Sequence, residues 1–121
     1  MKNIVTPIAA GLLTGFCLAA TIVAAQAKAT DIVISQKGKK FVPGTVQAKV
    51  GDTLTFVNEE KRKRHNVYTR SADFEYLKIK KQKPGDRDSV TLKNAGTAII
   101  KCALHPKMKL TVVVTEEFSL S

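Results

Sequence analysis

The chain has 121 residues, 44% of them apolar, with 20 Lys and Arg against 10 Asp and Glu and a formal charge of +10. That length suits one small domain with a single core and leaves no room for a second. The charge favours acidic partners or an anionic membrane surface; nucleic acid is set aside, because no aromatic-interleaved basic motif is present and the N-terminus reads as an export signal.

Lys2 supplies a short basic start, Ile4 to Ala25 is almost wholly apolar, and the run closes on Ala25-Gln26-Ala27 or Ala27-Lys28-Ala29. A retained membrane-spanning anchor is the alternative, since the run approaches bilayer length. Two A-x-A sites followed at once by the polar Thr30-Asp31 favour cleavage. Bulky Phe16 in front of Cys17 disfavours a lipid anchor there. Residues 1–27 are read as a signal peptide and 28–121 as one mature domain, with Ala29 as the alternative cleavage position. Loss of Lys2, or of Lys2 and Lys28, takes the charge from +10 to +9 or +8.

Period-two alternation, not helical spacing, fills the mature region. It runs through Ile32 and Ile34, then Val46, Ala48 and Val50, then Leu54 and Phe56. Leu77 with Ile79, Val90 with Leu92, and finally Leu110, Val112 and Val114 continue it. Breaks fall at Pro43-Gly44, Gly51-Asp52, Pro84-Gly85-Asp86 and Asn94-Ala95-Gly96, where turns belong. About seven or eight strands at such intervals predict an all-β sandwich or barrel. Val50-Gly51-Asp52-Thr53 is short enough for a tight hairpin. Glu59 to Asp73 is the least regular stretch.

Once the signal is removed, Cys102 is the sole cysteine. An unpaired thiol in an oxidising compartment calls for an occupant. Its neighbours form C-x2-H-x2-M: Cys102, His105 and Met108, a thiolate, an imidazole and a thioether that one loop can fold onto a point. The remaining histidine, His65, lies between the Phe56 strand and Val67-Tyr68. Soft sulfur with two imidazoles and a weak axial methionine is a copper donor set. Zinc is the runner-up, although structural zinc rarely takes methionine. A Cys–His nucleophile is a third reading, but only Asn66 stands near either histidine to orient it.

Phe41-Val42-Pro43-Gly44-Thr45-Val46, with Val50-Gly51-Asp52-Thr53-Leu54-Thr55-Phe56-Val57-Asn58, resembles the front half of the plastocyanin–amicyanin family of cupredoxins. His65-Asn66-Val67 is similar to that family's first-histidine motif and the Cys102 loop to its second. The short loop is most like the amicyanins. The resemblance spans Asp31 to about Thr115. It implies a Greek-key β-sandwich with one type 1 copper, cycling between Cu(I) and Cu(II), and a periplasmic electron carrier rather than an enzyme. It makes His65, Cys102 and His105 the strong ligands and Met108 the axial one. Asn66 N–H would donate to the Cys102 sulfur, and His105 would be the partly exposed ligand. The chain departs from the pattern at Ala98 and Ile100, where aromatics are usual, at Ala103, where a hydroxyl residue is usual, and at Leu104, where proline is usual. Ala103 would leave the Asn66 side chain without its customary partner. Leu104 restores an N–H that the loop could aim at the sulfur.

The expected partner is an acidic redox protein, a cytochrome or a periplasmic oxidoreductase, met by a monomer, with membrane-surface contact as a further option. Copper handling or resistance is the alternative function, though the Met or His clusters usual there are absent. Assembly of a redox enzyme is another.

Overall fold

A computed structural model of the chain describes residues 28–116. The expected signal segment, with Cys17 and Ala27, lies outside the described residues. Among the described residues nine strands form: β1 (Asp31–Lys37), β2 (Lys40–Val42), β3 (Thr45–Lys49), β4 (Thr53–Asn58), β5 (His65–Thr69), β6 (Ile79–Gln82), β7 (Arg87–Thr91), β8 (Gly96–Lys101) and β9 (Lys109–Thr115). They make two sheets, β2-β1-β4-β7 and β3-β9-β8-β5-β6. This is the all-β sandwich the alternation predicts, with one strand more than expected: the three-residue β2, too short to show a period. The Leu77–Ile79 alternation also begins before its strand; Leu77 is buried ahead of β6.

The inward rows pack face to face. Ile34, Leu54 and Phe56 from one sheet meet Val67, Ala98, Ile100, Leu110 and Val112 from the other, all within 1% of full burial. Each of these side chains other than Ala98 contributes roughly 1.5–3 kcal/mol by leaving water. Ala98 and Ile100 thus fill their core positions without aromatic rings. Phe74, from the segment between β5 and β6, helps to close the same core. It lies over Gly96, whose φ is +138° and where an added Cβ would meet the Phe74 ring at 3.1 Å. Both the backbone angle and the space therefore call for glycine at that position.

The expected hairpin at Val50–Thr53 does not form. β3 pairs in parallel with β9, and β4 pairs in parallel with β1 and antiparallel with β7. The turn therefore carries the chain from one sheet to the other. Alternation shows which residues face inward, but not which sheet a strand joins. The tight hairpin is instead β1–β2, where Gly38 and Lys39 sit consecutively at φ 63° and 57°, the left-handed pair a two-residue hairpin turn requires.

Asp52 organises the crossover. Its carboxylate accepts from Thr30 N–H (2.8 Å), Lys49 N–H (2.9 Å) and Lys49 Nζ (2.8 Å). Burial pushes its pKa upward, but the Lys49 and Thr30 donors outweigh that and hold it below the ordinary carboxylate value. A depressed folded pKa means stability that is present above the unfolded value of about 3.9 and is lost as pH falls toward the folded one. Asp52→Asn is expected to cost about 1–3 kcal/mol at pH 7. The gap from wild type should narrow below about pH 3, read by urea unfolding at both pH values. A gap constant with pH would mean that shape, not charge, is what Asp52 supplies.

Candidate metal centre

Each proposed donor on a strand flank is the next inward position of its strand's two-residue rhythm. On β5, His65, Val67 and Thr69 face in; on β8, Ala98 and Ile100 face in, and Cys102 continues the row. Leu110 and Val112 of β9 follow Met108 in the same way. Three core rows thus end at one rim of the sandwich on an imidazole, a thiol and a thioether. His65 and Cys102 are fully buried and Met108 is 1% exposed.

Cys102 Sγ lies 3.8 Å from His65 Nδ1. Asn66 N–H donates to the same sulfur at 3.4 Å. The rings of His65 and His105 meet edge to face with centroids 4.9 Å apart. The turn carrying His105 is closed by Met108 N–H donating to His105 O at 2.9 Å. His105 is half-buried, and Leu104 beside it is 52% exposed. Among the described residues, no three His, Cys, Asp or Glu side chains are drawn tightly enough onto one point to hold an ion unaided. The fit to a metal rests on the donor set and on the Cys102–His65 contact.

Sequence reasoning found no acid beside either histidine, and here the structure corrects it. Glu60 Oε1 lies 3.3 Å from His65 Nε2 and accepts Lys39 N–H at 2.9 Å. Asn58 puts Glu60 there: its Oδ1 accepts Glu60 N–H at 3.0 Å while its Nδ2 donates to Lys63 O at 2.9 Å. An asparagine bonding its own backbone two residues on is a turn signal, and it was the clue in the sequence. With Nε2–H given to Glu60, the Nδ1 lone pair of His65 faces the sulfur. Burial lowers the His65 pKa against the opposing pull of Glu60, so the ring favours its neutral, metal-binding form. The Lys39 N–H bond, against burial, keeps the Glu60 carboxyl below its ordinary range.

Two further expectations change. The Asn66 side chain keeps a partner despite Ala103, because its Oδ1 accepts the Ala103 backbone N–H at 2.8 Å. The Leu104 N–H makes no bond to Cys102 Sγ among the described residues; the loop turns Leu104 outward while the sulfur points into the core.

The profile of copper-binding proteins of the plastocyanin/azurin family matches residues 28–115. The chain belongs to that family. Copper is accordingly its cofactor, and the chain is similar to the amicyanins. A reduced tryptophan-to-tyrosine mutant of amicyanin is similar at a TM-score of 0.64 and 32% identity, over 75% of this chain and 88% of that one. A methionine-to-alanine mutant of amicyanin with Cu(I) gives 0.62 and 30%, over 69% and 81%. The methylamine utilization protein MauL of Methylorubrum extorquens is 34% identical over 68 residues, 56% of this chain. The match spans 58% of MauL's length. The residues at the rim suit copper chemically, since one buried free thiol, two imidazoles and a thioether are the soft and borderline donors that ion prefers.

Proposed function

We propose that His65, Cys102, His105 and Met108 hold one copper ion and that the protein carries single electrons between redox partners in the periplasm, without bond chemistry of its own. The observation that supports this best is the Cys102 sulfur: buried, unpaired, 3.8 Å from His65 Nδ1 and already accepting Asn66 N–H. Bound copper supplies a one-electron couple. The chain's residues do the rest. Asn66 N–H draws electron density from the sulfur, Glu60 fixes the His65 ring, and half-buried His105 offers the way to solvent.

The surroundings of His105 suit an acidic redox protein. Lys39, Lys40 and Lys107 line one groove with Leu104 and His105, so positive charge rings an apolar contact. The basic Lys2 and the apolar run to Ala25 support export to the periplasm, with residues 1–27 as the signal.

The test is voltammetry of the purified mature protein with one equivalent of copper. A reversible one-electron wave, with copper kept against excess chelator through both oxidation states, is expected. Rapid loss of the ion to the chelator would move the reading to copper handling.

A further inference from the structure

Strict alternation along β6 would turn Ile79 and Lys81 inward and leave Gln82 in water. The strand does otherwise: Ile79 and Gln82 are buried, while Lys80 and Lys81 between them are both exposed. The cause is a β-bulge. His65 of β5 stands opposite Gln82 and Val67 opposite Ile79, so Asn66 alone on β5 faces two residues on β6. The extra residue brings the Gln82 side chain back into the core on the rung of His65, where it is fully buried.

There its amide spans the sandwich. Gln82 Nε2 donates to Phe56 O of β4 at 3.1 Å, and Gln82 Oε1 accepts from Gln36 Nε2 of β1 at 2.8 Å. Asn58 of β4 returns the contact, its Nδ2 donating to Gln82 O at 3.0 Å. Within its own sheet β6 is bonded to β5 alone, so this clasp ties a free edge to the two inner strands of the opposite sheet. Phe56 O sets the sense of the bonds. It needs a donor, so Gln82 turns Nε2 to it and Oε1 to Gln36. Gln36 must then present its own Nε2, and its Oε1 is left buried with no partner among the described residues. Two apolar side chains would fill the space without that cost, so stability is a poor account of the pair. Its place beside a proposed copper ligand is a better one.

We propose that Gln82, delivered by the β6 bulge, is a positioning residue for the His65 imidazole. The idea rests on the reading of His65 as a copper ligand. His65 is held from two sides: its backbone lies on the rung that the clasp pins across the core, and its Nε2 meets Glu60. Asn58 fixes Glu60 while it grips Gln82 O, so both supports share one set of bonds. A one-electron carrier benefits when its ligands move little between oxidation states, and a rung tied to the opposite sheet resists such movement.

The double variant Gln36→Met with Gln82→Met tests this, since methionine nearly keeps the size of both side chains and leaves neither amide unpaired. The first readout needs no copper. Nitrogen-15 NMR of the metal-free mature protein follows the His65 Nε2–H, whose exchange with water should be about tenfold faster in the double variant. Loss of Cu(I) from the loaded protein to excess bicinchoninate should also be about tenfold faster. Ile34→Val trims the core on β1 without touching a polar atom and should change both rates less than about twofold. Gln36→Met alone cuts one arm of the clasp, serves where the double variant folds poorly, and should move both rates in the same direction. Equal acceleration by Ile34→Val, or unchanged rates in the glutamine variants, would overturn the proposal. If the His65 proton responds as expected but the wild-type protein shows no reversible copper wave, the electron-carrier reading falls and the role of Gln82 in placing His65 stands.

Discussion

Cys102→Ser is expected to erase the intense visible absorption of the Cu(II) protein. That band arises from charge transfer between a thiolate and copper, and Cys102 is the only cysteine among residues 28–121. Serine keeps nearly the same volume, so the buried site loses little packing. What it lacks is the soft sulfur that would bind copper as a thiolate. Asn66 N–H then points at a neutral hydroxyl in place of the sulfur it now meets at 3.4 Å. The two imidazoles can still attract Cu(II), but more weakly and without the colour. Absorption and electron-spin-resonance spectra with one added equivalent of copper are the check, with circular dichroism of the metal-free variant to confirm the fold. A variant that stays strongly coloured would show that the sulfur is not a ligand.

Asn58→Ala is expected to cost about 2–4 kcal/mol and also to loosen the metal. Asn58 is 1% exposed, and its side chain satisfies three backbone groups: Lys63 O at 2.9 Å, Gln82 O at 3.0 Å and Glu60 N–H at 3.0 Å. The desolvation cost at buried Gln82 O outweighs the rest, because Lys63 O lies near the surface and water can reach it. Out of a total stability of roughly 5–15 kcal/mol, such a loss is large. The second effect follows from Glu60. Released from Asn58, it no longer braces His65 Nε2, and removal of such a support typically costs about tenfold or more in metal affinity. Urea unfolding of the metal-free protein reads the first effect and competition with a copper chelator the second. Lost stability with unchanged copper affinity would show that Asn58 serves the sheets alone.

The difference between these two residues shows what was legible in the sequence. Cys102, His105 and Met108 stand in one short segment, and their chemistry can be read without any knowledge of the fold. The inward faces were largely legible too, since Leu54 and Phe56 alternate with Thr53 and Thr55, although Val33 beside Ile34 and Val113 beside Val112 are apolar and yet more exposed. Partnership between strands was not, because alternation has no signal for it; hence β3 and β4 look like a hairpin and yet lie in different sheets. Glu60 was hidden for a different reason. Its side chain reaches His65 only because Asn58 folds the intervening loop back, a consequence of backbone bonding that a run of charges conceals. The Leu104 N–H was assigned to the sulfur from its distance along the chain, which says nothing of the direction in which a loop turns.

Lys101 and Lys109 face each other as the last rung between β8 and β9. Everything from Cys102 to Met108 therefore hangs beyond a closed ladder, like a bracket fixed to a finished frame. Residues can be added to or removed from that bracket without sliding either strand, so the spacing of three of the proposed donors is free to change while the sandwich stays as it is. His65 has no such freedom. It sits within β5, opposite Gln82 of β6, and any change in its position must be carried by the sheet. The centre thus joins an adjustable half to a fixed one, and variation in its properties among related chains should be sought first between residues 102 and 108.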